Sequence, residues 1–165
     1  MESIELDALD LALLTQLQLD ASESNQDLAR RVHISPPTCL RRVKRLRDAG
    51  LIERQIAILD SDRIAQHMGH GLTAIVEITL DRQGQDAAEE FERRVAQDAA
   101  VQQCYRVSPG PDFILVVHAT DMPAYLALAQ RLFTSDANVR NVKAFFSIKR
   151  AKFEPRLPLV RTPRS

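Results

Sequence analysis

Tryptophan is absent from this chain, cysteine occurs twice, and glycine only five times in 165 residues. Cys39 and Cys104 are too few to frame a disulfide scaffold, and they fall in segments assigned below to different domains. They are expected to be reduced, half-buried thiols of a cytosolic protein. No apolar run approaches the roughly 20 residues that cross a bilayer. The acidic start, MESIELDALD, lacks the basic and apolar regions of a secretory signal. Net charge is missing too, at +0, so the total points to no acidic or basic partner. No Gly-rich phosphate loop and no nucleophile–base–orienter set can be found.

What is present is ordinary in amount and uneven in distribution. With 45% apolar and 27% charged residues the chain can bury a core, as one domain or two. Two small halves would each be marginal and would gain from association. Between residues 30 and 47 stand Arg30, Arg31, Arg41, Arg42, Lys44, Arg45 and Arg47, with no carboxylate among them. The acidic residues lie elsewhere, several of them in the first 27 positions.

Up to about residue 50 the periodicity is helical. Leu6, Leu9, Leu13, Leu14 and Leu17 recur at three- and four-residue spacing. Ser24 with Asp27 reads as a capped start of a short helix through Val32, whose buried side is Leu28, Ala29 and Val32. His33 and Ile34 make a tight turn. Ser35-Pro36 then combines a capping hydroxyl with proline at the first helical position, and Gly50 supplies the stop. The loose alternation from Ile52 to Leu59 predicts a strand, and Ser61 to Met68 a short connecting helix.

From residue 72 the period becomes two. Strands are expected at 72–80, 101–107, 113–119 and 139–148, with helices at 86–97 and 122–133. The order β-α-β-β-α-β is the ferredoxin-like, split βαβ arrangement, giving an α+β protein. The expected division is a helical domain at 1–60, a linker at 61–71, a sandwich domain at 72–150 and a basic, proline-containing arm at 151–165. The third strand is apolar on both faces: Phe113, Leu115 and Val117 on one, Ile114 and Val116 on the other. Helices cover only one face of such a sheet, so the other is expected to meet a second copy.

Two helices joined by a short turn suggest a helix-turn-helix. At about 100° per residue, Leu40, Val43 and the stem of Arg47 share one side of the second helix. Thr38, Arg41 and Arg45 share the other, with Arg42 beside them. That geometry predicts an apolar anchor under a stripe of guanidinium groups, which can pair with guanine edges or phosphates of double-stranded DNA. Ser35, Pro36 and Lys44 belong to the same surface, and Arg30 and Arg31 suit phosphate contacts.

These residues also carry a resemblance. Leu6-Asp7 with Asp10, Leu28-Ala29-Arg30-Arg31-Val32, Ile34-Ser35-Pro36, Cys39-Leu40-Arg41-Arg42-Val43 with Arg45-Leu46, and Ala49-Gly50-Leu51-Ile52 are similar to the feast/famine, or Lrp/AsnC, regulators. Similarity extends through Val76-Glu77-Ile78 and Asp121-Met122-Tyr125, over residues 4 to about 150. It implies a winged helix-turn-helix, a linker strand and an αβ sandwich that dimerises, assembles into octamers or similar rings and binds a small effector, usually an amino acid. The implied effector region is the turn Ser108 to Phe113, including Gly110 and Asp112, with Met122, Phe145, Phe146 and Ser147 nearby, at contacts between dimers.

Two positions depart from the family pattern. His33 stands where glycine is usual in the helix-turn-helix turn, so a left-handed backbone there would cost more. Pro109 and Pro111 enter a turn usually written Gly-Asp-Tyr/Phe-Asp-Tyr, removing two backbone donors. They point to an effector other than the commonest ones. Two other functions compete with a specific regulator. One is an architectural DNA-binding protein with little sequence preference. The other is an enzyme like the sirohaem decarboxylases that share the sandwich fold, for which His118 is the one sandwich-strand histidine. His67 and His70 have metal-ligand spacing but no third ligand, and neither metal nor cofactor is expected.

Overall fold

The computed structural model describes residues 4–69, 71–82 and 84–159. His70, Pro163 and the rest of the arm beyond 159 lie outside the described residues. The chain forms two compact units: Leu59–Ala151, and the preceding chain to Ile58 joined by the chain from Lys152 onward.

The first unit is helical. Helix α1, Ala8–Leu19, opens with a reciprocal box in which the Asp7 side chain accepts from the Asp10 N–H at 2.9 Å and Asp10 accepts from the Asp7 N–H at 3.2 Å. Helix α2, Asn25–Arg31, is capped by Ser24, and helix α3, Pro36–Asp48, by Ser35. Both end the same way. After α2 the Ile34 N–H reaches the Ala29 carbonyl and the His33 N–H that of Arg30; after α3 Leu51 reaches Leu46 and Gly50 reaches Arg47. This is the Schellman pattern, which needs a left-handed residue past the helix. Gly50 supplies it at φ 73°, and His33 adopts it at φ 56°. The strain anticipated for histidine in that turn is therefore present.

Leu13, Leu28, Ala29, Val32, Cys39 and Leu46 form the core of this unit, with Leu14, Leu17, Val43 and Ile52 packed against it. Two expectations fail here. Leu40, expected to anchor α3, is 61% exposed, and the fully buried residue is its neighbour Cys39. Burial raises the Cys39 thiol pKa and keeps the thiol neutral, while Cys104 is half-buried as anticipated. The segment Ile52–Leu59 joins no sheet, because no segment among the described residues pairs with it, and Ile56, Ile58 and Leu59 remain exposed.

The second unit starts with α4, Ser61–Met68, and continues β1 Leu72–Leu80, α5 Gln85–Val95, β2 Val101–Arg106, β3 Phe113–Ala119, α6 Met122–Ala129 and β4 Val139–Phe146. The helix expected to run to Phe133 leaves α geometry at Ala129 and finishes in a π turn, Gln130–Thr134. The sheet is antiparallel in the order β2-β3-β1-β4, the ferredoxin-like topology. Strand alternation decides which side the helices cover. Ala74, Val76, Ile78, Leu80, Phe113, Leu115 and Val117 face α5 and α6, where Phe91, Val95, Tyr125, Leu128, Leu132 and Phe133 complete the core. The opposite face carries Ile75, Ile114, Val116, Tyr105 and Phe145 without a covering layer among the described residues. Of the two apolar faces of β3, the Ile114–Val116 side is thus the open one.

Candidate nucleic-acid interface and effector surface

The seven cations of residues 30–47 divide into two sets. Carboxylates from earlier in the chain fold back onto four of them. Arg30 pairs with Asp27, Arg31 with Glu23 at 2.5 Å, Arg42 with both Asp7 and Asp10 at 2.8 Å, and Arg45 with Asp10. Among the described residues Arg41, Lys44 and Arg47 have no carboxylate partner. Segment composition could not show this division, because every partner lies outside the segment.

Asp10 is the pivot. Its carboxylate is 0% exposed, and one oxygen accepts from Arg42 while the other accepts from Arg45 and the Asp7 N–H. A buried carboxylate without such partners would be costly enough to neutralise or to unfold its surroundings. The Arg42 side chain is only 21% exposed and its Nε is buried without a partner. Its hydrogen bonds to Asp7 and Asp10 raise its pKa further. The Asp10 N–H first, and then Arg42, hold the Asp7 carboxyl below the usual carboxylate range.

Helix α3 is rotated from the expected orientation. Its buried line runs through Cys39, Val43 and Leu46 with Arg42 alongside, and its most outward line through Arg41 and Lys44. The difference is a little less than one residue step of about 100°. Arg42, expected to point outward, turns inward to the carboxylates. Arg45, also expected outward, is half-exposed and tethered to Asp10. Thr38 is part of the helix start, its hydroxyl 2.8 Å from that of Ser35, and Pro36 follows that cap. Leu40 and Val43 line a groove with Leu17, Leu28, Lys44 and Arg47.

The residues implied as effector-binding do not meet within one chain. Ser108, Gly110 and Asp112 lie at the end of the sheet where β3 begins beside Ile78. Asp112 closes that end: its N–H donates to the Ile78 carbonyl at 2.9 Å and its carboxylate accepts from the Leu80 N–H at 2.6 Å. Phe113 is fully buried in the helix-side core, its ring 4.8 Å from that of Phe91, so it is unavailable at the turn. Phe146 pairs with Ala74 and Ser147 donates to the Thr73 carbonyl at 2.8 Å, at the other end of β1. Five residue steps along β1, from Thr73 to Ile78, separate those ends, roughly 17 Å. Phe145 and Phe146 also face opposite sides, as neighbours on a strand must. Phe145 stands beside Ile75 on the open face, whereas Phe146 meets Tyr125 edge-on at 5.0 Å. Met122, exposed, begins α6 after β3 has run to the Leu72 end of the sheet.

Comparison with known proteins finds a family model for each of two stretches of the chain. Residues 6–53 match a winged helix-turn-helix DNA-binding family model, and residues 73–157 match the Lrp/AsnC ligand binding domain. The chain belongs to the Lrp/AsnC family. It is 36% identical, over 86% of this chain and 82% of the relative, to an uncharacterised HTH-type transcriptional regulator of Haemophilus influenzae. It is 33% identical to the leucine-responsive regulatory protein of Escherichia coli, covering 93% of this chain and 91% of that one. A transcriptional regulator of Neisseria meningitidis crystallised in complex with L-Met is 31% identical, with TM-score 0.81, and covers 94% and 97% of the two chains. This Lrp/AsnC chain is therefore a transcriptional regulator with a DNA-binding helix-turn-helix and a ligand-binding domain. No helix among its described residues is long and apolar enough to cross a membrane.

Asp7 and Asp10 entered the sequence reading only as part of the family likeness, and their function was missed. A signal did exist: two aspartates three residues apart at a helix start, in a chain whose third helix is crowded with arginine. Glu23 and Asp27 stand in the same relation to Arg31 and Arg30.

Proposed function

We propose that this regulator reads specific double-stranded DNA through the outward line of α3 and responds to an amino acid or related metabolite. The observation that carries the DNA reading is the division of cations: Arg41 and Lys44 face outward and carry no internal partner among the described residues. Free guanidinium and ammonium groups on the exposed side of a helix-turn-helix are available to base edges and phosphates. We assign Ser35, Pro36 and Thr38, at the start of α3, to the same DNA surface, the two hydroxyls as polar contacts and Pro36 as an apolar one. Arg45 contributes whichever guanidinium edge Asp10 leaves open. Arg30 and Arg31 are phosphate contacts of lesser strength, since each already holds a carboxylate.

A single helix of this length covers only a few base pairs, so useful specificity needs a second copy. The open sheet face with Ile75, Ile114, Val116, Tyr105 and Phe145 is the surface we assign to a homodimer, with dimers associating into an octamer or similar ring. Such association also reconciles the divided effector residues: the Ser108–Asp112 turn of one copy and the Met122, Phe145 and Ser147 end of another can form one pocket. Amino-acid chemistry is supported by the L-Met bound to the Neisseria regulator. The reading is of a regulator rather than a catalyst, and His118 is taken as structural, its ring 3.3 Å from the Thr73 hydroxyl.

Selection of duplexes from a random pool by the full chain tests the reading, followed by binding measurements with a panel of amino acids. Enrichment of a defined motif, and a shift in melting temperature or DNA affinity with at least one amino acid, are expected. An unenriched pool would favour architectural binding. A panel without effect on either quantity would remove the effector assignment.

A further inference from the structure

We propose that Asp10 is the positioning residue that sets which cations α3 shows to DNA, and so controls sequence discrimination rather than affinity alone. This rests on the proposed sequence-specific reading. Several observations converge on it. Asp10 is fully buried, yet it lies in the first turn of α1, and its two oxygens hold two arginines of α3 spaced by three residues. Residues three apart stand on one side of a helix. A carboxylate gripping both therefore fixes rotation about the α3 axis as well as distance from α1. Asp7 adds a second acceptor to Arg42, and the reciprocal box with Asp10 holds both carboxylates in place.

The apolar contacts of α3 do not fix that rotation by themselves. Cys39 and Leu46 are buried, but Leu40 lies exposed next to Cys39, so a turn that exchanged a small thiol for a larger aliphatic side chain would also bury apolar surface. The Nε of Arg42 is buried with no partner among the described residues, while its Nη1 donates to both carboxylates. With Asp10 neutralised, Arg42 and Arg45 lose their common acceptor and the outward line need no longer be Arg41 and Lys44. One positive charge is also uncovered beside the DNA surface. Specific contacts should weaken while attraction to any phosphate backbone is kept or strengthened.

The test compares Asp10→Asn with the native full-length chain on two duplexes of equal length: the one most enriched from a random pool by the native chain, and one of random sequence. Affinity is measured across a salt series. The expected result is at least a tenfold loss in the ratio of specific to random affinity. Random-duplex affinity should be unchanged or higher, with a salt dependence steeper by about one phosphate contact. A merely structural Asp10 would instead lower both affinities by the same factor, the native fraction, and that result overturns the proposal. Arg42→Lys decides the matter if Asp10→Asn does not fold. It keeps the charge but replaces the planar guanidinium, whose Nη1 donates to both Asp7 and Asp10, with an ammonium on a shorter stem. A fall in the ratio at unchanged melting temperature supports the proposal, and an unchanged ratio contradicts it. A native chain that enriches no sequence removes the specific reading, and the proposal with it, before any variant is compared.

Discussion

The two units of this chain hold their elements by different means. The sheet unit has a large apolar core, and its register is fixed by three antiparallel ladders. Its ion pairs, among them Arg94–Asp136, Arg106–Glu92, Arg131–Asp98 and Lys143–Glu77, stay at least partly in solvent. Among the described residues the helical unit buries six apolar side chains and adds one buried carboxylate, Asp10. A small helical core gives little directional information, because a helix can turn by part of a residue step and still bury comparable area. Directed charge–charge contacts supply what the core lacks. The sheet needs no such device, since a one-residue slip would turn every side chain to the wrong face.

The contrast can be broken at several points. Phe113→Ala, in the sheet core against Phe91, should cost about 3–5 kcal/mol and lower the melting of the sheet unit, read by calorimetry. Asp10→Ala should destabilise the helical unit by about 1–3 kcal/mol, less than a fully buried pair because Arg45 is half in solvent, with the sheet transition unmoved. Equal shifts in both transitions would undo the separation of the two units. His33→Gly should raise stability by roughly 0.5–1 kcal/mol, since glycine takes the left-handed position without a Cβ clash.

The smallest effect concerns pH. The folded Asp7 carboxyl is held below its usual value by the Asp10 N–H and Arg42, so its contribution is complete above the ordinary carboxylate range. It is lost as pH falls through the lowered folded value. Asp7→Asn should therefore lower stability slightly at neutral pH and flatten the acid limb below about pH 4, so that variant and native curves converge in acid, which a pH series of thermal melts would show.

Local signals in the sequence were read well because their causes are local. Ser24, Ser35-Pro36 and Gly50 mark helix ends through their own backbone chemistry, and period two marks β1 because that strand packs one face on the helix layer. His33 was legible as a strained cap for the same reason. The rotation of α3 was not, because Cys39 and Leu40 are almost equivalent in an apolar pattern and the deciding partners lie some 30 residues away. Neither was the separation of Asp112 from Ser147 across the sheet. A list of residues near a ligand in an assembly does not say which copy supplies each one. Ile52–Leu59 alternates as a strand should, but pairing requires a neighbour, and no described segment of this chain provides one.

The most direct test of the inward–outward division of α3 is a comparison of Arg41→Ala with Arg42→Ala on the selected duplex. Arg41→Ala should lose roughly 1–3 kcal/mol of specific binding at an unchanged melting temperature. Arg42→Ala should lower the melting temperature of the helical unit, having removed the partner of Asp7 and Asp10. The reverse pattern, with Arg42→Ala losing contact at full stability and Arg41→Ala without effect, would contradict the orientation of α3 described here.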